Sequence, residues 1–161
     1  MLKDPAPDQN RLLAVLPTHI YDMLLPQLEL VSMPLGKVLY ESGDVMRHVY
    51  FPIDCIISLL YVMENGASAE ISVVGNEGVI GISLFMGGES TSSRALVQSA
   101  GQAYRLSDKH FKDAVSCHVE MLQLMLRYVQ ALITQMAQTA VCNRHHSIDQ
   151  QLCRWLLLSL D

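Results

Sequence analysis

From Ser107 to Cys142 the chain contains neither Pro nor Gly, and its apolar residues return on an alternating three–four step. Val115, His118, Leu122, Met125, Val129, Leu132, Met136 and Thr139 form this row, with His118 and Thr139 as its polar exceptions. Such spacing is the seam of a coiled coil. Ser107-Asp108 reads as a helix N-cap followed by an acid in the first turn, where the helix dipole favours it. A second row, Phe111, Ala114, Met121, Leu124, Tyr128 and Ala131, flanks the first. One helix cannot hide two adjoining apolar rows from water alone. One row is expected to cover the rest of the chain while the seam meets a second copy, which makes residues 108–142 a dimerisation helix. The alternative is a long core helix of a monomer. Glu120, Gln123, Arg127, Gln130, Gln135 and Gln138 exclude a bilayer span.

Ahead of this helix the period changes. Residues 1–10 are polar and Pro-containing and are expected to fray. Arg11–Leu16 and Thr18–Leu25 read as short helices, broken at Pro17 and ended by Pro26. From Leu28 to Leu106 short strands follow: Leu28–Met33, Lys37–Tyr40, His48–Phe51, Cys55–Val62, Ala69–Val74, Arg94–Gln98 and Gln102–Leu106. Turns such as Glu41-Ser42-Gly43-Asp44 and Glu64-Asn65-Gly66 recur about every eight to twelve residues, which predicts a β-sandwich or β-roll. After the long helix, Asn143–Ser147 is a polar break. Ser147 then caps a last apolar helix over Ile148–Leu160 that carries Leu152, Trp155 and Leu156. A chain ending on so apolar a helix reads as cut short. The expected units are thus a helical segment (1–26), the roll (27–107), the dimerisation helix (108–142), and a hinge with the start of a further region (143–161).

Half of the 161 residues are hydrophobic, enough for one domain with apolar surface left for a subunit contact. Net charge is −5, and its placement matters. Residues 1–107 carry six Lys and Arg against eleven Asp and Glu, whereas 108–161 carry five of each. No basic stripe exists to neutralise phosphates, so these residues are not expected to hold DNA or an anionic membrane by themselves. Cys55, Cys117, Cys142 and Cys153 form no CxxC or close cluster, and Met1–Pro5 opens no signal peptide; both suit a cytoplasmic protein with reduced thiols.

The order of elements, with Gly36-Lys37-Val38-Leu39-Tyr40-Glu41-Ser42-Gly43-Asp44, Val49-Tyr50-Phe51, Gly78-Val79-Ile80-Gly81, Arg94-Ala95-Leu96-Val97 and Gln151–Leu157, resembles the Crp/Fnr family of bacterial transcription regulators. The resemblance implies a mainly β fold with helices, a double-stranded β-helix (jelly-roll-like β-roll) of the cyclic-nucleotide-binding-domain type. Short N-terminal helices and a long C-terminal dimerisation helix would flank it. It also implies a homodimer that passes its effector state to a winged helix-turn-helix beginning beyond Asp161, so that DNA is met only through that domain.

The resemblance further places the effector pocket at Gly78, Val79, Ile80, Gly81, Gly87, Gly88, Ser92, Ser93, Arg94 and Met136. Here the chain departs from the family's nucleotide binders. Val79 stands where they carry the Glu that grips the ribose hydroxyl. Ser93 stands where they carry the phosphate-holding Arg, with Arg94 one residue later and hence on the opposite face of a strand. Met136-Ala137 replaces the hydroxyl pair that meets the base. Cyclic AMP and cyclic GMP are therefore expected to bind negligibly, no cofactor is assigned, and any small-molecule effector is unidentified. The N-terminal cysteine cluster of the iron–sulfur branch is missing too.

The glycines of Gly75–Gly81 and Gly87-Gly88, followed by Ser90–Arg94, form either an anion cradle or turns; glycine's freedom favours turns. His145-His146 reads as hinge surface, and Cys55 as core. Glu70 and Glu77 lack the spacing of a catalytic pair, and neither a catalytic nor a metal residue is assigned. Two alternatives to a sensing module remain: a degenerate roll that only dimerises or binds a partner, and a cupin-like metal enzyme. The enzyme would need two His and a Glu on neighbouring strands, and His48 is the one histidine of the predicted roll.

Overall fold

The computed structural model describes residues 5–88 and 90–159. The expected helix end at Leu160 and the reading of Met1–Asp4 lie outside these residues. Helices α1 (Arg11–Ala14) and α2 (Thr18–Leu24) lead into seven strands: β1 (Glu29–Met33), β2 (Val38–Tyr40), β3 (His48–Pro52), β4 (Ile56–Val62), β5 (Ser68–Val74), β6 (Ser93–Ser99) and β7 (Gly101–Ser107). Helices α3 (Asp108–Cys117), α4 (Val119–His145) and α5 (Ile148–Leu158) follow. The strands pair antiparallel in two sheets, ordered β1-β7-β3 and β2-β6-β4-β5. Alternation fills the space between them: Val49 and Phe51 of β3, Ile57 and Leu59 of β4, and Ala95 and Val97 of β6 all point inward and are buried. Among the described residues no helix is long and apolar enough to cross a membrane.

Residues 5–10 do not fray. Pro7–Gln9 form a 3-10 turn, and the Tyr104 hydroxyl donates to the Pro5 carbonyl at 2.7 Å. Asn10 is completely buried. Its Oδ1 accepts from the N–H groups of Leu12 (3.1 Å) and Leu13 (3.2 Å), capping α1. Its Nδ2 donates to the carbonyls of Pro52 and Gly78, both at 2.9 Å. An amide sealed from water has to find such partners, and here they lie on two distant segments.

The long helix is broken at His118, whose backbone is extended (φ −125°, ψ 110°). The break lets each piece bury its own row against the core: Phe111, Ala114 and Val115 from α3, then Met121, Met125 and Leu132 from α4. The His118 ring lies edge-on to His19, with centroids 5.8 Å apart. Helix α4 runs on to His145, so the break expected at Asn143–Ser147 is confined to His146 and Ser147. Ser147 caps α5 and forms a capping box with Gln150.

The break also turns the apolar rows. Of the seam residues, Val115, Met125, Val129 and Leu132 are covered within this one chain, and His118, Leu122, Met136 and Thr139 are half-buried. The large apolar side chains of α4 left in water are Val119 (60% exposed), Leu126 (53%), Ile133 (60%) and, on a separate face, Val141 (56%). Half of the seam expected to meet a partner is thus covered by this chain itself. The uncovered face follows Val119, Leu126, Ile133 and Ala140, with the half-buried Leu122 and Met136 along its margin. Polar residues finish the inner face: Gln135 Oε1 accepts from the Ser72 hydroxyl and from the Val73 N–H (3.3 Å), on the outermost strand of its sheet.

Replacing Asn10 by Ala removes the cap and strands two buried carbonyls. Urea denaturation of Asn10→Ala is expected to show a loss of about 3 kcal/mol, combining a cap of about 1 kcal/mol with unpaired buried carbonyls. A loss below about 1 kcal/mol, the value of a cap alone, means that water replaces the amide.

Candidate functional site

The loop between β5 and β6 begins at Gly75 and enters the roll at Gly78. Val79 and Ile80 are each 1% exposed, so their side chains fill interior space. Ile80 pairs with Tyr50 of β3 through N–H···O bonds of 2.8 and 3.0 Å, so the loop entrance behaves as a short extra strand. Gly81 sits at φ +103°, and a Cβ there would lie 3.2 Å from the His48 carbonyl; both facts require glycine. It precedes a 3-10 turn over Ile82–Leu84.

Two side chains grip consecutive carbonyls at this entrance. Asn10 Nδ2 donates to Gly78, and the Tyr128 hydroxyl of α4 donates to Val79 at 3.1 Å. Burial pushes the Tyr128 hydroxyl far above its usual pKa range, so it stays a neutral donor. Helix α4 comes close enough because Gly78 has no side chain. A Cβ on Gly78 would stand 2.5 Å from the Tyr128 oxygen and 2.6 Å from Val74 Cγ1.

The far end of the loop separates two other candidates. Ser93 is buried, bonded to the Thr91 hydroxyl at 3.1 Å, and its hydroxyl also reaches Tyr40. Burial pushes Tyr40 up to about 12, and the Ser93 bond offsets part of the rise. Arg94 points to the other face, where its Nε lies 2.6 Å from Glu41 Oε2. Both side chains are partly exposed, so the pair is worth less than about 1 kcal/mol.

Gly78, Val79, Ile80, Gly81 and Ser93 thus face or border the interior, and Met136 packs against the core. Gly87 and Ser92 lie exposed, and Arg94 turns away. The N–H groups of Gly78, Ile80, Leu84, Phe85, Met86 and Gly88 all donate to carbonyls of the chain. These donors are spent on holding the loop and are not turned toward an anion.

Among the described residues no group of three or more His, Cys, Asp or Glu is placed to hold a metal. His48 lies on the outer face of β3, its ring 6.3 Å from that of Tyr50. Cys55 is buried, its thiol donating to the Gln102 carbonyl at 3.3 Å, and burial pushes it up to about 11, so it is not a nucleophile at neutral pH. Sequence reasoning missed Asn10, Glu41 and Tyr40 as loop partners and took Tyr128 for core. An N-cap signal before Leu12-Leu13 was available for Asn10; nothing local marks the others.

The family model for the cyclic nucleotide-binding domain matches residues 30–118, from β1 to the break after α3. No curated relative matches the sequence. Among solved structures, the c-di-GMP responsive global regulator CLP of Xanthomonas campestris aligns with a TM-score of 0.69 at 12% identity, covering 87% of this chain and 70% of that one. The sensor domain of the transcriptional regulator DNR from Pseudomonas aeruginosa aligns with a TM-score of 0.61 at 17% identity, covering 88% and 91%. The N-terminal domain of a transcriptional regulator from Streptomyces coelicolor gives 0.59 at 20% identity, covering 82% and 94%. At these identities the likeness is one of fold.

Gly78→Ala and Tyr128→Phe test the grip as a pair. Each alone is expected to destabilise the chain by about 1–3 kcal/mol, the first by overpacking and the second by leaving a buried carbonyl unpaired. Because the methyl group and the hydroxyl compete for one space, the double variant should cost measurably less than the sum in urea denaturation. Strict additivity would show that the two groups do not meet.

Proposed function

The chain belongs to the cyclic nucleotide-binding domain family, and on that premise we propose that it is the sensing and dimerising module of a Crp/Fnr-like transcription regulator. The observation that carries this reading is the uncovered apolar face of α4. Leaving Val119, Leu126 and Ile133 in water forgoes about 1.5–3 kcal/mol per side chain, which a second α4 packed in parallel would recover. The module acts without catalysis, in the cytoplasm, and passes its state through α4 and α5 to a DNA-reading domain outside these residues. Its acidic balance suits that division of labour.

Cyclic AMP and cyclic GMP are not its effectors in this reading. Val79 offers no acceptor for a ribose hydroxyl, and Ser93 is a neutral group already engaged with Tyr40 and Thr91. Arg94 is committed to Glu41 on the outer face. Two unpaired buried groups, at about 1–3 kcal/mol each and more for the phosphate charge, weaken binding by about a thousandfold. The interior filled by Val79 and Ile80 also favours a second reading, in which the roll takes no ligand and the chain is a dimerisation module alone. A cupin-like enzyme is disfavoured because His48 faces outward.

Sedimentation distinguishes the two rows of α4. Leu126→Glu with Ile133→Glu should give a folded monomer, whereas Met125→Glu with Leu132→Glu should unfold the chain. A wild-type chain that is monomeric at about 50 μM, well within the range of weak association, overturns the dimer. Isothermal titration with either cyclic nucleotide should show no binding tighter than about 1 mM; a Kd at or below about 10 μM would mean that the phosphate finds a partner other than Ser93.

A further inference from the structure

A cavity of about 770 Å³ opens between α1, the end of β5 and α4, outside the roll interior. Its size is that of a small-molecule site, and its mainly apolar surface is bordered by Glu77, Glu120, Gln123, Arg127, Tyr128 and Gln135. Leu12, Val73 and Leu132 form a buried floor, with Leu124 above them. Val15 stands on one wall, 64% exposed and uncovered. The polar groups are unequal in what they have left to give. Glu77 already accepts from the Gly75 N–H at 3.1 Å. Arg127 makes no ion pair among the described residues. Glu120 lies two helical turns before Arg127, about 10 Å along the axis.

The cavity has a position as well as a composition. Tyr128, which holds the Val79 carbonyl, lines it, and so does Leu12, beside the Asn10 cap. An occupant would therefore touch Tyr128, one of the two residues that grip the loop entrance, and Leu12, whose N–H is bonded to the other, Asn10. The uncovered seam at Leu126 and Ile133 lies on another face of α4, so a dimer leaves the cavity open.

We propose that this cavity binds a small amphipathic carboxylate, its apolar body over Leu12, Val73, Leu124 and Leu132 and its head on Arg127. A guanidinium recognises a carboxylate through two parallel N–H···O bonds, which an alcohol or an amine cannot reproduce. As an effector site it rests on reading the chain as a sensing module, but occupancy is measured apart from the dimer.

The probe is decanoate, titrated calorimetrically into the full chain, with decanol and decylammonium as matched alternatives. Decanoate should bind most tightly. Arg127→Gln should weaken decanoate about tenfold and leave decanol unchanged. Ala131→Trp, at an exposed wall position, should abolish binding while the circular dichroism and sedimentation of the chain stay as in the wild type. The proposal is overturned if decanoate fails to bind at about 1 mM. It is equally overturned if decylammonium binds more tightly or if neither variant changes the affinity. A monomeric wild type that still binds decanoate would sink the dimer reading and leave the site standing.

Discussion

Two consecutive carbonyls, those of Gly78 and Val79, set the geometry of this molecule. Sealed from water, each has to be paired, and each unpaired one would cost about 1–3 kcal/mol. Neither is satisfied by its neighbours in sequence. Asn10 reaches the first from the N-terminal segment and Tyr128 the second from α4. One loop entrance thereby fixes the positions of α1, the end of β3 and the long helix at once. The glycine follows from the same constraint, because any side chain at position 78 would occupy the space of the Tyr128 oxygen.

With α4 held there, its two apolar rows can no longer choose their partners freely. Tyr128 facing the loop turns Met121, Met125 and Leu132 to the roll and leaves Leu126 and Ile133 outside. The break at His118 is the accommodation: α3 continues from β7 and buries Phe111, and α4 starts anew after the extended residue and buries Met121 and Met125. Gln135 then closes the far contact by taking the Val73 N–H at the sheet margin.

How much of this was legible varies with the range of the cause. The strands were, to within a residue or two, because alternation of inward and outward side chains is a local consequence of pleating. The separation of Ser93 from Arg94 follows from that same period. The helix break was not, since no Pro or Gly marks His118 and its cause lies in what the two halves pack against. The choice between the two rows of α4 is a sharper case. The row through Met125 and the row through Leu126 share Leu122, Val129 and Met136, so both carry the same three–four step. Nothing in the spacing says which faces the roll; the Tyr128 bond decides. The Asn10 cap had a sequence signal, but its reach to Pro52 and Gly78 spans segments that only the fold brings together.

Strand β6 carries the same logic to the other end of the chain. It begins at Ser93, where the loop re-enters the roll beside Tyr40. Five residues on, along its outer face, stands Gln98. With its amide oriented to satisfy its surroundings, Gln98 donates to Glu70 and to the buried Ser58 hydroxyl and accepts from Trp155 Nε1 at 3.2 Å. Arg154 adds a bond to the Gln135 carbonyl at 3.4 Å. The helix after the hinge is thus held by polar contacts to the strand that closes the loop and to the helix that grips its entrance. Its apolar residues contribute less, since Ile148 and Leu157 remain in water. Polar contacts of this kind are directional, and a strand is stiff along its length. The placement of α5 is therefore tied to the placement of Gln98 on β6 and of Gln135 on α4.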